Sequence, residues 1–341
     1  MKQDIRILSL IFALLWALAW AAAGRGAPSD GPHSGVPGPE AVSSNTEAGA
    51  ESAAYARGTA DRDTILRVSR GGEIEEMTMD TYLRGVLRAE MPASFEPEAL
   101  KAQAIAARTY TLYKMRGGPI ANHPDADACD DINCCKAYKT AEQAAADWGS
   151  MALYYEEKLA RAVGETDALA VLYGGEPILA VFCSSTNGHT QNAGAVWQSD
   201  LPYLQSVVSP ENEELVPNYY SSETFSAERF RALFLAAYPG AALSGAPAEW
   251  IRDIERSDAG FVTTLSVGGV TVRGNELRTI LSLRSPSFTV DADDDSLTFR
   301  VTGYGHGVGM SQYGANALAQ QGMTAEEILR HYFTGAYVGT V

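Results

Sequence analysis

The first pattern along the chain is an unbroken apolar run. From Ile7 to Ala23 only Ser9 is polar, and Lys2 and Arg6 stand before it. As a helix this stretch would rise about 25 Å at about 1.5 Å per residue, close to the lower limit for crossing a bilayer. The small residues Ala21-Ala22-Ala23-Gly24 also resemble a signal-peptidase site, so residues 1–23 are expected to be a signal peptide or an N-terminal membrane anchor. Residues 24–60 are rich in Gly, Ser, Pro, Ala and Glu and carry almost no large apolar side chains. A segment of that kind buries too little surface to offset its conformational entropy, and a disordered linker is expected.

Folded patterning starts near Asp63, where Leu66 and Val68 alternate with Ile65, Arg67 and Ser69 as in a strand. Two helices follow. Asp80 can cap the first, whose apolar positions Leu83, Val86 and Leu87 form one stripe, and Pro92 ends it. The second begins after Ser94 with Pro97 in its first turn and runs toward Met115. Alanines at 99, 102, 104, 106 and 107 let neighbouring backbone come close to it. Helical spacing returns over 140–148, 156–163, 226–238, 312–321 and 324–333. Strand patterns occupy 169–173 and 178–183, joined at Gly174-Gly175, and then 261–267, 270–273, 286–291 and 297–302. Helices and strands are segregated rather than alternating, which predicts an α+β fold.

Composition adds mainly exclusions. The chain has 341 residues, of which 46% are hydrophobic, so a sizeable core is available. With 42 acidic against 26 basic residues the formal charge is −16, and no basic stripe for nucleic acid survives that balance. Glycines at 303, 305, 307 and 309 match neither a GxGxxG nor a Walker loop, so phosphate cradling is not expected. Alternate glycines there suit close backbone approach beside a groove, and His306 among them fits a hydrogen-bonded structural role equally well.

Glu90 follows Leu83, Val86 and Leu87 at helical spacing, so its carboxylate extends the apolar stripe and sits in the last turn. Desolvation and the negative helix end would both raise its pKa, as a general acid near neutral pH requires. Periodicity alone also allows the commoner outcome, a helix-end glutamate reaching past the stripe into water.

Three blocks decide between these. Tyr82-Leu83-Arg84-Gly85-Val86-Leu87-Arg88-Ala89-Glu90-Met91-Pro92, continued by Glu98-Ala99-Leu100-Lys101-Ala102-Gln103-Ala104 and Ala107-Arg108-Thr109-Tyr110, closely resembles the SpoIID/LytB family. So do Phe182-Cys183-Ser184-Ser185-Thr186-Asn187-Gly188-His189-Thr190 and the segment from Gly303 to Ala315. The resemblance covers about 65–341 in the right order and implies one SpoIID-like catalytic domain over 61–341, with helices and antiparallel strands around a glycan-binding groove. It implies a lytic transglycosylase acting on the MurNAc–GlcNAc bond of peptidoglycan, with Glu90 as acid and then base. Lys101 and Arg108, seven apart on the second helix, resemble groove-lining positions, although such a pair also suits a solvated face. Ser184, Ser185, Thr186 and Asn187 suit recognition of hydroxyl and acetamide groups, or a loop that satisfies its own backbone. Gln312 and Tyr313 are expected to touch glycan. Many relatives carry His where this chain has Cys183, so no role is assigned to it.

His123, Cys129 and Cys135 are spaced H-x5-C-x5-C, with Cys134 beside the last. Imidazole and thiolate suit zinc, yet in an exported protein with four cysteines disulfides are the default. Some clostridial members of the family look very similar in this insertion and carry zinc at the corresponding His and two Cys. The resemblance therefore implies a zinc site at His123, Cys129 and Cys135, near the groove. It also implies an extracytoplasmic setting in sporulation, during engulfment, with a cell-wall amidase as partner. Two rival readings remain: a zinc-dependent cell-wall hydrolase, and a non-catalytic glycan-binding or amidase-modifying module. The hydrolase lacks an H-x-x-E or H-E-x-x-H signature in this chain.

Overall fold

Strand β1 (Ile65–Arg70) buries Leu66 and Val68 and turns Ile65 and Arg67 outward, as its alternation predicts. Gly71 and Gly72, with φ of 57° and 92°, make the two-residue turn to β2 (Glu73–Thr78), a conformation that strongly favours glycine. The computed structural model describes residues 58–118, 120–197 and 200–341. The expected leader and most of the expected linker lie outside these residues. Among the described residues no helix is long and apolar enough to cross a membrane. Upstream of β1 a single helical turn, Ala60–Asp63, is held by N–H donation from Ala60 and Asp61 to Asp167 (3.2 and 2.9 Å).

Helix α1 (Met79–Glu90) starts two residues earlier than its sequence suggests. Thr78, not Asp80, is the cap, its hydroxyl accepting from Thr81 N–H, and Asp80 pairs instead with Arg84 at 2.6 Å. Its stripe of Leu83, Val86 and Leu87 is fully buried. Met91 is extended (φ −127°, ψ 135°) because Pro92 disfavours helical geometry there. Helix α2 (Pro97–Arg116) runs through the centre, with its alanines against neighbouring elements and eleven of its residues buried. From the cysteine insertion, β3 (Ala128–Cys129) adds in parallel to the free side of β1, pairing Cys129 with Ser69. Helices α3 (Ala141–Trp148) and α4 (Ala152–Gly164) follow, the first capped reciprocally by Thr140 and Gln143.

Strand β4 (Leu169–Tyr173) turns at Gly174-Gly175 into β5 (Glu176–Pro177). The expected strand over 178–183 is shorter than its apolar pattern suggests. The ladder stops at Pro177, and only β6 (Phe182–Cys183) pairs again. A second hydrophobic core then forms around Phe225, Phe230, Phe234, Trp250 and Phe299. It lies among β7 (Tyr220–Ser226), α5 (Ala227–Ala237), β8 (Ile251–Arg256), β9 (Val262–Val267), β10 (Val270–Arg273), α6 (Gly274–Leu281), β11 (Phe288–Ala292) and β12 (Ser296–Thr302). These strands form two antiparallel sheets, ordered β11-β12-β7 and β10-β9-β8.

The chain returns to the first core through β13 (Met310–Ser311), parallel to β6, then α7 (Gln312–Gln320), α8 (Ala325–Tyr332) and β14 (Tyr337–Thr340), which pairs with β4. Helices α1, α4, α7 and α8 pack on α2. The fold is α+β, rich in antiparallel pairs. The β6–β13 pairing sets the Cys183 loop against the glycine-rich loop, although the two are far apart in the chain.

Candidate active site

Glu90 is the last residue of α1. The preceding turn is fixed from outside by Arg88, whose guanidinium donates two bonds to Glu156 on α4 (2.8 and 2.5 Å). Beyond Glu90 the chain opens onto a groove of about 290 Å³ whose lining includes Glu90, Pro92, Trp148, Ser184, Gln312 and Tyr313. Glu90 is half-buried, and its Oε1 accepts the Ala137 N–H at 3.1 Å. Loss of water around the carboxyl raises its pKa. The nearby Lys136 charge, the Ala137 N–H and the Gln312 amide draw it back only in part.

Lys136 was not singled out by any sequence pattern. It is 9% exposed, and its ammonium lies 4.1 Å from the ring centre of Tyr110 and 3.7 Å from that of Phe182. Burial lowers its pKa to about 8, against the pull of Glu90. The segment 134–137 therefore brings a cation and a backbone donor to the Glu90 carboxylate.

A second unforeseen residue, Glu211, ties the loops that border the groove. Its buried Oε1 accepts from Thr186 N–H (2.7 Å), Thr186 hydroxyl (2.8 Å) and Ser311 hydroxyl (2.6 Å). Ser311 also caps α7, which carries Gln312 and Tyr313. Glu211→Ala should free both loops, with a loss of about 1–3 kcal/mol read as a lower urea midpoint. An unchanged midpoint would show that the clamp contributes nothing.

The other expected binding residues divide. Ser184, Gln312 and Tyr313 border the groove. Ser185 and Thr186 are buried; the Thr186 hydroxyl binds Glu211 (2.8 Å) and Asn187 donates to Ala259 O and Ser287 hydroxyl (2.8 and 3.0 Å), so the Thr186 and Asn187 side chains serve the loop and the second core. Lys101 and Arg108 are corrections. Lys101 pairs with Glu98 and Glu165 (2.8 and 2.7 Å) and lines a separate depression of about 460 Å³ that does not include Glu90. Arg108 is 1% exposed, and its donors are taken by Asp61 and by Leu169 O at 3.0 Å. Spacing put the two on one face of α2, but that face meets acidic partners rather than the groove.

In the glycine-rich block, φ is positive at all four alternate glycines. A Cβ at Gly309 would stand 2.1 Å from Val181 O, and one at Gly303 would stand 2.6 Å from Thr186 O. The block thus lies directly on the β6 segment. His306 Nδ1 accepts the Val308 N–H at 3.1 Å; desolvation and the nearby Arg278 and Lys136 charges push its pKa down to about 3, so the ring is neutral. Cys183 is buried, and desolvation pushes its thiol up to about 12.

All four cysteines are free thiols in the described fold. His123, Cys129, Cys134 and Cys135 are all buried, and one potential ligand atom from each lies within 4.8 Å of the others. His123 Nδ1 is 3.1 Å from Ala126 O, so an N–H there donates to the carbonyl and leaves the Nε2 lone pair facing the thiols. Soft sulfur and imidazole donors converging in a buried site are the chemistry zinc takes. The residues fit a zinc ion.

The family described as SpoIID, stage II sporulation protein, matches residues 69–173. The chain is 37% identical over 269 residues to the stage II sporulation protein D of Bacillus subtilis (strain 168), covering 78% of this chain and 75% of that protein. It is 36% identical over 263 residues to the protein of the same name from Bacillus amyloliquefaciens, covering 77% and 74%. A weaker similarity, 26% over 300 residues, joins it to the amidase enhancer of Bacillus subtilis (strain 168), covering 74% of this chain and 39% of that one.

Proposed function

The chain belongs to the SpoIID family of stage II sporulation proteins, and on that premise we propose that it is a peptidoglycan lytic transglycosylase using Glu90. One observation carries the proposal. Among the described residues lining the groove Glu90 is the sole carboxylate, and its environment favours the protonated form. Ordinary glycosidases need a second carboxylate for water activation or nucleophilic attack. A single acid suffices when the nucleophile belongs to the substrate.

The proton of Glu90 goes to the glycosidic oxygen between MurNAc and GlcNAc as that C–O bond breaks and positive charge develops at C1. The carboxylate left behind is met by the Ala137 N–H and the Lys136 ammonium. It then takes the proton of the C6 hydroxyl while that oxygen bonds to C1, which closes a 1,6-anhydro ring and returns Glu90 to its acid form. Ser184, Gln312 and Tyr313 are the groove groups available to orient the sugars.

A zinc ion held by His123, Cys129 and Cys135 would fix the insertion that ends in Lys136 and Ala137. Residues 7–23 would export or anchor the chain, giving it an extracytoplasmic place in engulfment. A cell-wall amidase that strips stem peptides is the partner this chemistry suits, and the amidase enhancer among the relatives supports that choice. That relative also favours a second reading, an amidase-modifying module without cleavage of its own.

Purified glycan strands freed of stem peptides separate the readings. The proposal predicts fragments ending in 1,6-anhydroMurNAc, each lighter by one water than a hydrolytic product. Reducing ends would mean hydrolysis, and binding without fragments would mean the module. Lys136→Met refines the test, because the Lys136 charge lowers the Glu90 pKa. Its removal should move the alkaline limb of the pH–rate profile to higher pH, and an unmoved limb would separate Lys136 from the acid.

A further inference from the structure

We infer that the depression beside Lys101, which runs along α4, is a distal saccharide subsite that holds sugar units of the same glycan strand beyond those at Glu90. The inference rests on the glycan reading above and deepens it.

Helical spacing and one turn place the residues. On α4, Tyr154, Lys158, Arg161 and Glu165 follow one another at helical spacing, so a single face carries them. That face walls the depression over about 16 Å of helix, with Pro97 and Lys101 of α2 also lining it. At its start the wall meets the groove. Gly149, with φ of 54°, ends α3 in a conformation that favours glycine, and the chain returns so that the ring centres of Trp148 and Tyr155 are 5.6 Å apart. Tyr155 is in turn 5.6 Å from Tyr154. Trp148 lines the groove and Tyr154 lines the depression, so three rings in contact join the two. The segment between α1 and α2 is shared as well, because Pro92 and Ala93 border the groove and Pro97 borders the depression. Lys158 holds α4 to that segment by donating to Ser94 O (3.3 Å) and to Phe95 O.

The chemistry of the lining selects a sugar. Trp148 and Tyr155 are half-buried against the first core, whereas Tyr154 is 57% exposed. An exposed ring steadied by a neighbouring ring offers an apolar face to the C–H side of a pyranose. Around it the wall is ionised. Glu165 is held by Lys101 (2.7 Å) and Arg161 (3.2 Å), and Glu157 beside them is exposed. Carboxylate acceptors next to ammonium and guanidinium donors suit hydroxyl and acetamide groups. A protein partner would call for an apolar centre, and apart from Tyr154 the described lining offers only Pro97 and Ala162. A strand held at the groove and again along α4 gains affinity with length, because the second contact is made within one complex.

Calorimetry on the full chain carrying Glu90→Gln reads binding with little turnover. The two probes are a peptide-free tetrasaccharide and long peptide-free glycan strands. Long strands should bind more tightly, and adding Tyr154→Ala should cut that gain about tenfold. Alanine suits an exposed helix position, so the variant should fold. Tyr154→Phe, which keeps the ring, should retain most of the gain. Leu153→Ser, at a position 87% exposed and outside the lining, should leave it whole. Strands that bind no more tightly than the tetrasaccharide, or a gain that survives Tyr154→Ala, would overturn the subsite and leave the Glu90 proposal to its product analysis. An equal loss in Leu153→Ser would reveal a general apolar patch and also overturn the saccharide assignment. If neither probe binds, the glycan reading itself falls, and the subsite with it.

Discussion

Glu90→Gln should lower the rate of glycan cleavage by about 10²- to 10⁴-fold, the range that a positioned general acid–base contributes, and the protein should remain folded. The amide keeps an oxygen for the Ala137 N–H, so the 3.1 Å contact survives, but it has no proton to give to a glycosidic oxygen. A stability measurement makes the result specific. The Glu90 pKa is raised in the folded protein, chiefly by desolvation. Between its ordinary value of 4.5 and the raised one, the native state holds more protons than the unfolded state. Stability contributed by this group is therefore fully present below 4.5 and is lost as pH rises through the native pKa. Glutamine removes that decline. The variant should thus be inactive yet at least as stable as wild type at neutral pH, with any advantage fading in acid. Unfolding midpoints over a pH series check this, and a variant that loses stability at neutral pH would mean that Glu90 is an ionised structural group.

Arg108→Ala should be the most destabilising of the changes considered, by about 3–5 kcal/mol. Arg108 and Asp61 have side-chain exposures of 1% and 6%, and the guanidinium also serves Leu169 O. Truncating the cation leaves Asp61 buried without a counter-charge, and Asp61 lies in the helical turn that begins the described fold. Denaturant unfolding measures the loss. Arg108→Met combined with Asp61→Leu should recover much of it, because a buried pair replaced by apolar groups avoids the stranded charge. Normal stability with a raised KM for glycan in Arg108→Ala would instead return Arg108 to the groove.

Arg108 also marks where reading the chain without its fold runs out. Helical spacing put Lys101 and Arg108 on one face of α2, but Asp61, Glu165 and Leu169, which meet them, come from elements that spacing cannot orient. The buried stripe of α1, the Pro92 stop and the Gly174-Gly175 turn were legible because each is a local property. Strands β2, β7 and β8 were not, since their exposed positions are mostly polar and they lack clear apolar alternation. Lys136 and Glu211 carry no local signal at all. A lone lysine after two cysteines acquires meaning only when the fold sets it beside Glu90 and between two aromatic rings. Cys134 was visible as a neighbour of Cys135, yet only the convergence on His123 makes it a candidate ligand.

The central claim is that Glu90 passes a proton while the sugar closes on itself, with no water consumed. Cleavage of peptide-free glycan strands in heavy-oxygen water, followed by mass spectrometry of the new ends, tests it most directly. The account predicts anhydro ends without label from the wild type, formed about 10²- to 10⁴-fold more slowly by Glu90→Gln. Labelled reducing ends from the wild type, or unlabelled anhydro ends from the variant at an undiminished rate, would contradict it.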